Sequence, residues 1–101
     1  MLQRWDRVYY KNPKAWELWI ETLNSEPNIG KRLRMDEFFD TQNIHICVYH
    51  VCKPLDRPFF WSIYDGTRHT RAGYTTRREA EFEAFEKAFD LLEEKLDKLR
   101  S

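Results

Sequence analysis

Residues 77–99, RREAEFEAFEKAFDLLEEKLDKL, decide the fold of this chain. Phe82, Phe85, Phe89, Leu92, Leu96 and Leu99 recur there at alternating steps of three and four, which sets six large apolar side chains on one stripe of a helix. Glu83, Glu86, Asp90, Glu93 and Asp97 fall on a neighbouring stripe and read as a solvated face. Thr76-Arg77-Arg78-Glu79 fits a capping box, so the helix is expected to begin close to Arg77. Ala80, Ala84, Ala88 and Leu91 widen the apolar face in the first turns, whereas beyond Glu93 only Leu96 and Leu99 remain. At about 1.5 Å per residue such a helix is roughly 35 Å long, against roughly 20–26 Å for strands of six to eight residues. Its end should therefore overhang the sheet, and self-association through that end is one expected partnership.

Upstream, Ile44 to Cys52 and Phe59 to Tyr64 are rich in β-branched and aromatic residues and read as strands. Asp65-Gly66 suits a two-residue hairpin turn, from which Thr67 to Ala72 returns as a third strand ended by Gly73. The core is expected where Phe82, Phe85, Phe89 and Leu92 meet Ile44, Ile46, Val48, Trp61 and Ile63. Asn12-Pro13 followed by Trp16, Trp19, Ile20 and Leu23 predicts a short amphipathic helix over residues 13–24. Arg4 to Tyr10 alternates imperfectly and is open as a fourth, N-terminal edge strand. Ser25 to Gly30 reads as a loop, and Lys31 to Gln42 shows no assignable period. The expected class is α+β: one domain over residues 1–101, with an antiparallel three-stranded sheet under a long C-terminal helix and a short N-terminal helix.

With 101 residues the chain can bury a single core without disulfides or metal. Seventeen basic residues balance seventeen acidic ones, so no net field draws the whole molecule to nucleic acid or to a membrane. No apolar run approaches the ~20 residues of a membrane span, and Met1 to Arg7 lacks a signal core. A cytoplasmic protein with reduced thiols is expected, without membrane contact. His45, Cys47, His50 and Cys52 put four metal-ligand types within eight residues. Strand parity sends His45 and Cys47 to one side and His50 and Cys52 to the other, so neither a metal site nor a Cys47–Cys52 bridge is expected. The chain has three serines, no glycine-rich phosphate loop and no acidic pair off the helix face. The reading is therefore not an enzyme, and no cofactor is expected.

Two features could bind. With a two-residue turn, Phe59, Trp61 and Ile63 share a sheet face with Thr70 and Ala72, while Phe60, Ser62 and Tyr64 share the other with His69 and Arg71. Aromatics interleaved with Arg and His on an open sheet can stack bases; the same residues also tolerate burial under a helix or second subunit. Arg68, Arg71, Arg77 and Arg78 form a basic run with no acidic residue between Gly66 and Arg78. Arg77 and Arg78 lie at a helix start that favours an anion, although an intrahelical pair such as Arg77 with Glu81 also serves them. The function expected first is a non-catalytic interaction module with a protein partner. The second is a nucleic-acid binder using Arg68, Arg71, Arg77, Arg78, Phe60, Tyr64 and His69 on an RNA or DNA duplex.

Gly73-Tyr74-Thr75-Thr76-Arg77-Arg78-Glu79-Ala80, continued by Ala84, Ala88 and Leu92, resembles the last strand and helix of a double-stranded-RNA-binding domain. That resemblance implies phosphate contacts from Arg77 and Arg78, although Glu81, Phe82 and Phe85 depart from the family's pattern. A longer stretch, residues 59–96 with Phe60-Trp61-Ser62-Ile63 and the same Gly-Tyr segment, is similar to short uncharacterised proteins of gut bacteria and their phages. It implies an α+β fold and no established activity.

Overall fold

The computed structural model describes residues 4–24, 34–51 and 56–100. Its elements are α1 (Arg4–Lys11), α2 (Pro13–Asn24), α3 (Met35–Thr41), β1 (His45–His50), β2 (Phe59–Tyr64), β3 (Arg68–Tyr74) and α4 (Arg77–Arg100). The strands form one antiparallel sheet in the order β1-β2-β3, and α4 packs across it. This is the expected α+β arrangement. The expected loop over Ser25 to Gly30 and the placement of Cys52 lie outside the described residues.

Arg4 to Tyr10 is helical, and the fourth-strand expectation is corrected. Val8 is fully buried and Trp5 half-buried, three residues apart, while Tyr9 and Tyr10 are exposed. The Trp5 ring meets Phe82 edge-on at 4.9 Å and Phe89 at 6.5 Å, so tertiary burial overrides the strand preference of Val and Tyr here. α1 stops before Pro13, whose ring disfavours a helical residue at Asn12. Pro13 then opens α2 at the position that needs no amide donor, as expected.

The acidic stripe of α4 is not a solvated face. Arg7 pairs with Glu86 at 2.8 Å, Lys11 with Asp90 at 3.2 Å, and Lys14 with Asp97. Asn12, only 3% exposed, donates Nδ2 to Asp90 at 2.8 Å, and Glu93 accepts the backbone N–H of the buried Ala15 at 2.9 Å. That last bond satisfies one of the orphan amides in the first turn of α2 from another helix. Both members of the first two pairs advance by four residues, so α1 and α4 run in the same direction.

The phenylalanine stripe is also redirected. Phe89, fully buried, lies 5.4 Å from Trp16 and 4.9 Å from Phe39, and Phe39 is 6.3 Å from Phe85. Phe82 and Phe89 therefore pack their rings against α1, α2 and α3, while Phe85 lines a groove with Ile46 and Val48 of β1. The fully buried row Ala80, Ala84 and Ala88 turns toward the sheet, where small side chains let the helix approach closely. α4 is thus a central layer between the sheet and the N-terminal helices. Its 24 residues span about 36 Å against about 20–23 Å for the strands, and Leu99 at the far end is 74% exposed.

α3 occupies the stretch with no readable period. It ends in a Schellman motif: Asn43 N–H bonds Asp40 O at 3.1 Å, Ile44 N–H bonds Phe39 O at 2.9 Å, and Asn43 takes φ 62°. Ile44 and Phe39 are both buried, which supplies the usual apolar contact across the motif. Asn43→Ala is expected to cost about 1 kcal/mol, whereas Asn43→Gly should be neutral or slightly stabilising. Urea midpoints of the two variants check this; an equal loss in both would mean that the amide side chain, not the left-handed backbone, matters.

Candidate functional site: the open sheet face

The hairpin between β2 and β3 determines which side chains share a surface. Tyr64 pairs with Arg68, so Asp65, Gly66 and Thr67 form a three-residue connection rather than a two-residue one. Gly66 takes φ 103°, and the Asp65 carboxylate accepts Thr67 N–H at 3.2 Å and lies 3.1 Å from His69 Nε2. The one-residue difference inverts β3 relative to the expectation. Thr70 and Ala72 join Phe60, Ser62 and Tyr64, while His69 and Arg71 lie opposite Ile63 and Trp61 on the helix-covered face.

Nor does β3 end at Gly73. Gly73, with φ 99°, is the extra residue of a bulge between the Phe60–Ala72 and Phe59–Tyr74 pairs. The bulge returns Tyr74 to the helix-covered side, where its hydroxyl accepts the indole N–H of the buried Trp61 at 3.0 Å.

Three cross-strand rows make up the second face. They are His45–Tyr64–Arg68, Cys47–Ser62–Thr70 and Tyr49–Phe60–Ala72. Among the described residues no helix covers it: Tyr49 is 44% and Tyr64 51% exposed, and the flanking side chains of β1 and β3 are exposed as well. The Tyr49 and Phe60 rings stack with centroids 5.0 Å apart and planes 23° from parallel. A hydrogen bond with the Cys47 thiol, followed by that group's charge and slight desolvation, raises the Tyr49 phenol above its ordinary value; Arg68 opposes this weakly. Tyr49 thus stays a neutral hydroxyl at physiological pH.

The remaining residues of the expected site are dispersed. Arg68, Phe60 and Tyr64 belong to the open face. Arg71 lines a groove of ≈ 570 Å³ walled by Glu83, Glu86 and Asp90, beside Lys11 and Lys87. Arg77 places its guanidinium 5.5 Å over the Phe59 ring, and Arg78 is exposed one residue on. Seven residues of β3 separate Arg68 from the helix start by about 20 Å, so the four arginines form no single patch. The first turn of α4 is also partly served: Glu79 N–H bonds Thr76 Oγ1 at 3.1 Å, and the Glu79 carboxylate accepts the Thr75 hydroxyl at 3.1 Å. Only half of the expected capping box forms, because Glu79 turns to Thr75 instead of the Thr76 amide.

Among the described residues no three His, Cys, Asp or Glu side chains converge to hold a metal, and no buried side-chain polar atom lacks a partner. His45 lies 2.9 Å from Asp40, while His50 packs edge-on against Phe59 at 4.9 Å, which puts the two histidines on opposite faces of β1. No helix among the described residues is long and apolar enough to cross a membrane.

The balanced net charge conceals a segregation that the sequence contains but that only the fold makes spatial. Residues 43–78, which build the sheet, carry six Lys and Arg against two Asp; residues 79–101 carry eight acidic side chains against four basic ones. Three of those acidic side chains, Glu86, Asp90 and Asp97, are spent on cations of α1 and α2. No family model, no curated protein and no solved structure matches this chain.

Proposed function

We propose that this chain is a small, non-catalytic interaction module that engages its partner through the open face of the sheet. The exposed rings of Tyr49 and Tyr64, with the half-buried Phe60 stacked on Tyr49, are the observation that carries the reading, since folded domains leave large apolar rings on one surface chiefly where something binds. The exposed free thiol of Cys47 fits a reducing, cytoplasmic setting. Self-association through the end of α4 is a second contact, supported by Leu99 alone, and it would leave the sheet face free.

Site-specific photocrosslinking in the cell of origin tests the proposal. A photoreactive residue at position 64 should yield a discrete higher-mass adduct, and one at position 94, on the exposed side of α4, should not. No adduct from position 64, or the same adducts from both positions, would refute the open face as the contact surface.

A further inference from the structure

We infer that the open face is a stacking platform for single-stranded nucleic acid, with a base seated over Ala72 against the free side of the Phe60 ring. This rests on the open face being the contact surface and names the chemistry of what it contacts. Tyr49 and Phe60 already form a two-ring stack across β1 and β2, and the next position in that row, on β3, is the exposed Ala72. The smallest chiral side chain therefore stands beside an aromatic ring, and no larger side chain of that row on β3 occupies the space next to Phe60. A base placed there extends the stack by one step, and any base has the π-face to do so.

Tyr64 supplies a second ring two rows away, about 13 Å along the strands, flanked by His45 and Arg68. The row between them, Cys47, Ser62 and Thr70, is short and polar, leaving a floor over which a backbone can pass while hydroxyls donate to it. None of the nine residues in the three rows is acidic, and Arg68 is the one Lys or Arg among them. Arg68, with no acidic residue in the rows around it, favours an anionic backbone at that end of the face. A duplex keeps its bases paired inside and offers none to the rings, and Arg77 and Arg78 stand about 20 Å from Arg68 at the far end of the sheet.

Fluorescence anisotropy with a labelled twelve-nucleotide oligo(dT), a mixed-sequence RNA of the same length and the corresponding duplexes tests this at 50 and 300 mM salt. Single strands are expected to bind more tightly than duplexes and to weaken as salt rises. Ala72→Phe, which fills the space next to Phe60 without removing any group, should weaken binding roughly five- to a hundred-fold, the range of one lost stacked base. Tyr64→Ala should do likewise, and Arg68→Gln should lower the salt slope by about one. Ala72→Phe raises strand propensity at an exposed site and so preserves the fold, which far-UV circular dichroism verifies. Absence of single-strand binding at 50 mM salt, unchanged affinity in Ala72→Phe, or equally good competition by polyglutamate would overturn the inference. A nuclease-resistant crosslink from position 64 to a protein would overturn it while leaving the open face as the contact surface.

Discussion

Phe89→Ala is expected to remove about 3–5 kcal/mol of folding stability, the largest loss of any single truncation among the described residues. Phe89 is fully buried, and its ring touches Trp5 of α1, Trp16 of α2 and Phe39 of α3. Its removal leaves a cavity where three other helices meet α4, and aromatic walls on three sides cannot all collapse into it. Phe85, half-buried beside β1, should cost less on the same truncation, because part of its ring already faces solvent. Chemical denaturation of the two variants gives the order directly. A loss below about 1 kcal/mol for Phe89→Ala, or a larger loss for Phe85→Ala, would place the centre of the core elsewhere. Since small domains are stable by only about 5–15 kcal/mol, the Phe89 variant should also melt many degrees earlier.

That core differs from the one the spacing alone suggests, and the reason is geometric. Periodicity identifies which residues of α4 are buried but not what buries them. Two layers compete for the helix, and the small row Ala80, Ala84 and Ala88 takes the sheet while the large rings take the helices. Helices α2 and α4 and strand β2 were legible because capping residues, a proline and period-two aromatics act within a few residues of where they are needed. α1 was not, because its stabilisation comes from Trp5 and Val8 packing and from two cations, Arg7 and Lys11, matched to carboxylates 79 positions away. The spacing Arg7, Lys11, Lys14 against Glu86, Asp90, Glu93, Asp97 is the signal that could have found it, and it has meaning only once two segments are laid side by side.

The candidate site illustrates the same limit at a single residue. Asp65-Gly66 announces a hairpin, yet whether Thr67 belongs to the connection or to the strand decides the face of every residue after it. In the structure Thr67 belongs to the connection, the Asp65 carboxylate accepting its N–H, and the result exchanges His69 and Arg71 for Arg68, Thr70 and Ala72 on the open face. A surface read as aromatic with His69 and Arg71 is thereby an aromatic surface with Arg68 at one end and Ala72 at the other.

Asp90→Ala is expected to cost about 2–3 kcal/mol, second only to the loss of a core ring, because this carboxylate serves a buried joint rather than the solvent. Asn12 sits between α1 and α2, its backbone N–H bonded to Val8 O at 2.8 Å and its carbonyl accepting Trp16 N–H at 3.0 Å. With the backbone so engaged, the amide side chain of this buried residue has Asp90 as its acceptor at 2.8 Å. Truncating Asp90 leaves that Nδ2 without an acceptor away from water, which costs its desolvation as well as the bond. The Lys11–Asp90 ion pair contributes far less, since the lysine side chain is 61% exposed and screened. Three variants separate the two effects. Lys11→Ala should fall within about 0.5 kcal/mol of the parent, Asp90→Asn should lose about 1 kcal/mol while keeping an acceptor oxygen, and Asp90→Ala should lose most. A double-mutant cycle with Asn12→Ala should then show a coupling of at least about 1 kcal/mol; additivity within about 0.3–0.5 kcal/mol would mean that Asn12 and Asp90 act independently. A Lys11→Ala loss as large as that of Asp90→Ala would instead make the ion pair the holding contact between α1 and α4.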